Sequence, residues 1–231
     1  MIGQEPGRTG VQRNEWNAWL VASVMLGASF WLVAGAEHHA PVMVAWKGAG
    51  VALLAINAAA VAIVNPSARR DASMLAIVMA FGAGGDMAIE RSLTVGAGLF
   101  LAGHTFAVAL YLSNRRTTIN PADFAVAITV LLVVPAVAWS LLTDRATAGT
   151  VAFYATGLAA MAAAAWLARF PRRQVTAGAL LFVASDLLIF ARMGPLAGSV
   201  IPRLLVWPLY YLGQFLICTG VLESLNRRRA A

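Results

Sequence analysis

Eight times along its 231 residues this sequence runs through about twenty mostly apolar positions with hardly a charge, and that repetition leaves few folds open. A helix needs about 20 apolar residues to cross the hydrocarbon of a bilayer. The runs fall at 16–36, 41–64, 73–89, 93–113, 121–143, 148–169, 174–192 and 203–224. Sixty per cent of the chain is hydrophobic and 12% is charged, against about 25% charged in a soluble domain. The expected fold is therefore all-α: a polytopic membrane bundle of about eight transmembrane helices. The links are too short for a soluble domain, so 1–231 forms one membrane domain with polar tails at 1–14 and 226–231. The first run ends in Ala34-Gly35-Ala36, a sequence that resembles a signal-peptide cleavage site. Its apolar stretch exceeds the 7–15 residues of a signal core, so it is read as a retained helix.

Charge placement sets the expected orientation. Lys47 is the single lysine among 17 basic residues, and the rest are arginines. Arg8, Arg13, Arg69, Arg70, Arg115, Arg116, Arg169, Arg172, Arg173, Arg227, Arg228 and Arg229 fall on one side of the alternating spans. Only Arg91, Arg145, Arg192 and Arg203 fall on the other. The richer side is cytoplasmic by the positive-inside rule, and both termini belong to it. The net charge of +7 is thus a topology signal, and arginines spread over separate loops argue against a nucleic-acid partner. The preference for arginine and alanine suits a GC-rich bacterial genome, hence a multi-pass protein of the bacterial inner membrane. Cys218 is the only cysteine and allows no internal disulfide.

The residues that do not belong in hydrocarbon carry the functional reading. Ionisable groups within spans are costly and usually face the bundle interior. Here they are Lys47, Asp86, His104 and Asp186; the last span adds Trp207, Tyr210, Tyr211 and Gln214, and Asn57 lies deeper in the second. At about 1.5 Å per residue, five helices bring these groups into the outer half of the membrane. That coincidence of depth points to one shared polar cavity. Helical spacing supports it: Phe100, His104, Ala107 and Tyr111 share a face, and Trp207, Tyr210, Tyr211 and Gln214 are read as another. Gly82, Gly84 and Gly85 before Asp86 permit close approach by a neighbouring helix.

Plainer roles stand beside each of these. Lys47 lies within snorkelling reach of the outer interface, or pairs with Asp186. Asp86 has Arg91 as a possible partner, and His104 a backbone carbonyl. Tyr210, Tyr211 and Gln214 suit ordinary interhelical bonding, and His38 and His39 a solvated outer loop. A catalytic zinc takes three protein ligands; with one histidine inside a span and no HExxH, no metal is expected. Ser185 points about 100° away from Asp186 on a helix of 3.6 residues per turn, and no GxSxG occurs. A faint duplication is visible. A basic pair, Arg69-Arg70 or Arg172-Arg173, precedes each aspartate-bearing helix, as if helices 1–4 and 5–8 were parallel repeats.

At these residues the sequence resembles the lysoplasmalogenase, or YhhN-like, family. The resemblance rests on Gly85-Asp86, the stretch from Phe100 through Gly103-His104 to Tyr111, Ser185-Asp186, and Tyr210-Tyr211-Leu212-Gly213-Gln214. It runs from about residue 47 to 222 in the same order and frame of eight helices. The family's Lys-Pro in the second helix appears here as Lys47-Gly48.

The resemblance implies hydrolysis of the vinyl ether bond of a lysoplasmalogen to a fatty aldehyde and a glycerophospho-alcohol. Such chemistry suits two carboxyl groups, one delivering a proton and one acting as base, as in glycoside hydrolysis. Asp86 and Asp186 are the catalytic candidates. Lys47, His104, Tyr210, Tyr211 and Gln214 are the substrate-binding candidates, with Lys47 toward the phosphate. No cofactor is implied; the partners are the lysophospholipid substrate and membrane lipids. Head-group preference and oligomeric state stay open. The rival reading from the residues is a proton-coupled transporter, for which acids between repeats are also expected, with Gly82–Gly85 and Pro208 as places for a broken helix.

Overall fold

The computed structural model describes residues 8–33 and 41–230, and the side chains of residues 18–33 and 41–228. The loop with His38 and His39, the side chains of Arg8 and Arg13, and the first seven residues lie outside the described residues. Eight helices run in order: α1 Arg8–Val33, α2 Pro41–Val64, α3 Arg69–Ile89, α4 Leu93–Ser113, α5 Pro121–Leu141, α6 Arg145–Leu167, α7 Ala177–Arg192 and α8 Val200–Ala230. A wide π-type turn over Arg172–Thr176 leads into α7. No strand forms among the described residues; Arg115 and Ala168 make one isolated bridge between loops. The chain is a multi-pass membrane bundle: seven helices are long and apolar enough to cross a bilayer, and the described apolar part of α1, Ala18–Val33, is shorter. Val42, Ile63, Leu132 and Phe153 stand exposed on the flanks, as lipid-facing residues do and soluble surfaces rarely do.

Local chemistry sets the helix ends. Ser92 accepts the Val95 N–H at the start of α4. Asn120 accepts from the Asp123 N–H, with Pro121 in the first turn of α5. Asp144 accepts from Ala146 N–H and the Thr147 hydroxyl at α6. Each fills an orphan donor at a helix N-terminus. Helix α8 outruns the expected span: its 31 residues reach about 46 Å at 1.5 Å each, beyond a hydrocarbon layer of about 30 Å. Arg227 pairs with Glu223 one turn earlier on that extension. Pro208 lies inside α8 and the glycine-rich stretch inside α3, and both helices continue through them. Neither is an unwound site of the broken-helix kind.

Packing is mainly between chain neighbours, with α4 on α6 and α8 across α1, α2 and α3 closing the bundle. At the crossing of α7 and α8 a Cβ on Gly178 would stand 2.7 Å from the Gly213 carbonyl oxygen, and one on Gly213 equally close to that of Gly178. Only paired glycines allow that approach. The halves pair alike in part: α1 with α2 and α5 with α6, α3 with α4 and α7 with α8. The likeness stops at α3, which packs along α2 far more than α7 does on α6.

The arginines are not dispersed. At the end holding most of them, Asp123 accepts from Arg116 at 3.0 Å and Arg172 at 2.5 Å. The Asn114 amide oxygen accepts from Arg169 at 2.7 and 3.1 Å and from Arg228 at 3.0 Å, while its amide donates to Asp71 at 2.9 Å. The ends of α3, α4, α6 and α8 are tied there.

Candidate active site

The opposite end of the bundle, where α3 turns into α4, gathers the candidate residues. Asp86 is one turn from the end of α3 and 3% exposed. The Tyr210 hydroxyl of α8 donates to its carboxylate at 2.8 Å, and the Gln214 amide donates in turn to Tyr210 at 3.4 Å. Tyr210 and Gln214 are one turn apart, so they share a face. They reach Asp86 because Gly82 leaves room: a Cβ there would meet the Gln214 amide nitrogen at 2.7 Å.

Asp186 of α7 is 6% exposed and receives a separate donor, the hydroxyl of Tyr154 on α6, at 2.7 Å. That hydroxyl also lies 3.4 Å from His104 Nε2. Among the described residues neither aspartate is in an ion pair.

Aromatic rings fill the space between the two tyrosine–aspartate pairs. Phe182 of α7 meets Tyr210 and His104 edge-on, each at 5.0 Å between centroids. Phe100 of α4 meets Phe182 at 6.0 Å and Tyr210 at 5.8 Å. The backbones of α4 and α7 do not pack together; these rings bridge the gap. Toward the arginine-rich end the gap widens into a small cavity of about 20 Å³, walled by Gly82, Phe100, His104, Tyr111, Phe182 and Gln214 among others. The aspartates do not line it; the rings and Gln214 stand between.

Two expected site residues sit elsewhere. Lys47 forms an ion pair with Glu90, not with Asp86 or Asp186. Glu90 is one turn beyond Asp86 along the chain, so the pair lies next to Asp86 at the end of α3. Tyr211 faces away from the aspartates. Its hydroxyl shares a hydrogen bond with Ser23 of α1 at 2.7 Å, and its ring stacks on Trp207, whose indole N–H donates to the Gly27 carbonyl at 2.8 Å. The reading of Trp207, Tyr210, Tyr211 and Gln214 as one face is corrected: successive helix positions differ by about 100°, so Tyr210 and Tyr211 part company. Arg91 pairs with no carboxylate among the described residues, and the Tyr210 hydroxyl is what holds Asp86.

Sequence reasoning missed Tyr154 and Glu90. The signals were present: Tyr154 is one of only four tyrosines, at the same depth as Asp186, and Glu90 follows Asp86 by four residues. Among the described residues no three His, Cys, Asp or Glu side chains gather as a metal site requires.

A bundle of spanning helices that closes two aspartates, each held by a tyrosine hydroxyl, among aromatic rings belongs with membrane proteins whose polar sites lie inside the helix layer. The chain is a member of the YhhN family, whose model matches residues 42–221 and so takes in both aspartates, Tyr154 and the tyrosine pair. Neither the curated proteins nor the solved structures include a match to the chain.

Proposed function

We propose that this protein is a lysoplasmalogenase-type membrane hydrolase that cleaves the vinyl ether bond of a lysophospholipid, with Asp86 and Asp186 as its acid–base pair. The observation that carries the reading is the matched setting of the two carboxyl groups: each is buried, each is held by one tyrosine hydroxyl, and neither is in an ion pair among the described residues. Family membership agrees with it.

In this mechanism one aspartic acid gives its proton to the β-carbon of the vinyl ether, and the oxygen-bearing carbon becomes an oxocarbenium ion. Water adds to that carbon, and its released proton goes to the other aspartate. The hemiacetal then collapses: its C–O bond to glycerol breaks, the leaving oxygen takes the hydroxyl proton, and a fatty aldehyde departs. Paired carboxyls that divide such work act as a unit. The alkenyl chain lies along the alanine- and leucine-rich helix faces. Lys47 takes the phosphate by exchanging its Glu90 partner for it, as a compact cation can.

The test is aldehyde release from a vinyl ether lysolipid by purified protein without any ion gradient. Asp86→Asn and Asp186→Asn each remove nearly all of it, and the double variant is no worse than either, since residues acting as a unit are not additive. A folded Asn variant that keeps near-full activity refutes the pair. A wild-type protein that yields no aldehyde but moves protons against a solute gradient is a transporter.

A further inference from the structure

The cavity below Tyr210 is used by nothing in the acid–base pair, yet its walls are chemically particular. Most are apolar, including Val78, Phe100, Met161 and Ile217, but three polar groups belong to its lining: His104, Gln214 and Tyr111. Tyr111 is 1% exposed, and its hydroxyl has no hydrogen-bond partner. Leaving a buried hydroxyl unpaired costs about 1–3 kcal/mol. A hydrocarbon guest would leave that cost standing, whereas water would remove it. Polar cavities roomy enough for water, with two to four partners to offer, hold it.

The other two polar groups matter for where they lead. Gln214 donates to Tyr210, which donates to Asp86. His104 contacts the Tyr154 hydroxyl, which donates to Asp186. The hydrogen-bonded routes from both aspartates therefore end on the wall of the same chamber.

We infer that this chamber holds the water consumed in hydrolysis, anchored by Tyr111, His104 and Gln214 and delivered past the Tyr210 and Phe182 rings to the reacting carbon. The inference rests on the hydrolase reading. Its balance needs no further reactant: the water oxygen bonds to the oxocarbenium carbon, and one water proton passes to the receiving carboxylate. A cavity of about 20 Å³ seats about one water, and both aspartates are buried, so a water held inside the bundle answers a need that the chemistry creates.

The experiment fills the chamber from a wall residue that belongs to neither tyrosine–aspartate pair. Ala107 lines the cavity, and Ala107→Leu is expected to lower kcat at least about tenfold, a modest share of what proton-transfer catalysis contributes. The fall should be alike for vinyl ether lysolipids of short and long chains, with KM little changed. A loss confined to long chains overturns the inference and makes the cavity a hydrocarbon slot. Tyr111→Phe, which keeps the ring, gives a second reading: its thermal midpoint falls if the hydroxyl binds water and rises if the cavity is dry, the latter overturning the inference. Radiolytic hydroxyl labelling reports hydration without activity. Wild-type Tyr111 and Met161 should label despite burial, and absence of label on both overturns the inference. Label on both in a protein that releases no aldehyde sinks the hydrolase reading and leaves a hydrated chamber.

Discussion

Tyr154→Phe isolates one atom of the candidate site. The substitution keeps the ring and its edge contacts with His104 at 5.8 Å and Phe190 at 6.1 Å, and deletes only the donor that sits 2.7 Å from Asp186. A hydrogen bond to a charged group is worth about 1.5–3 kcal/mol. Where that energy appears depends on what Asp186 does. If Asp186 is purely structural, its charge state is the same throughout turnover, and the whole loss falls on stability. If it exchanges a proton, the bond is stronger to the carboxylate than to the neutral acid, so its energy changes along the reaction and enters the barrier. Each 1.36 kcal/mol is tenfold in rate, so kcat falls by about 10- to 150-fold. The His104 contact with the same hydroxyl is long, 3.4 Å, and adds little to that sum. An alcohol dehydrogenase coupled to released aldehyde measures kcat, and thermal unfolding in detergent measures stability. A variant with unchanged kcat and a lowered midpoint refutes a catalytic Asp186.

Three further outcomes are expected. Lys47→Met raises KM for a phosphate-bearing lysolipid, while Glu90→Gln frees Lys47 and lowers it; shifts in the same direction show the pair to be structural. A reporter fused after Ala231 behaves as cytoplasmic and one inserted near Ser92 as external, and reversal of both inverts the orientation. Asp144 lies outside the spans, and the Thr147 hydroxyl, followed by the Ala146 N–H, holds its carboxyl below the ordinary range. A depressed carboxylate stabilises the fold above its unfolded value of about 3.9 and ceases to as pH falls through the folded one. The midpoint difference between wild type and Asp144→Ala is therefore full at neutral pH and vanishes in acid; a constant difference refutes the cap's charge as its source.

Much of the architecture could be read from the chain because hydrocarbon punishes polarity. The expected spans 41–64 and 93–113 coincide with α2 and α4, since Pro41 and the Ser92 cap mark abrupt starts. Boundaries failed where helix continues into water: α8 runs on to Ala230 on charged residues that no hydropathy pattern would include. Asp86, Asp186, His104, Tyr210 and Gln214 were legible as polar exceptions inside apolar runs. Tyr154 was legible only by its rarity and depth, because a phenol ring blends into such a run and only its hydroxyl matters. The Lys47–Glu90 pair spans two helices, and spacing along one helix carries no information about the partner across the gap. The convergence of Arg169 and Arg228 on Asn114 was hidden for the same reason.

The order of synthesis gives the position of Tyr210 and Gln214 a further meaning. Both belong to α8, which leaves the ribosome after the other seven helices, whereas Asp86 enters the membrane with the third. A nascent chain that has already delivered both carboxylates still lacks the hydroxyl that holds Asp86, the glycine that seats α7, and the arginine that joins Asn114. Every fragment that stops before α8 thus lacks these three contacts by construction, and the two aspartates reach their full surroundings only once α8 is in place.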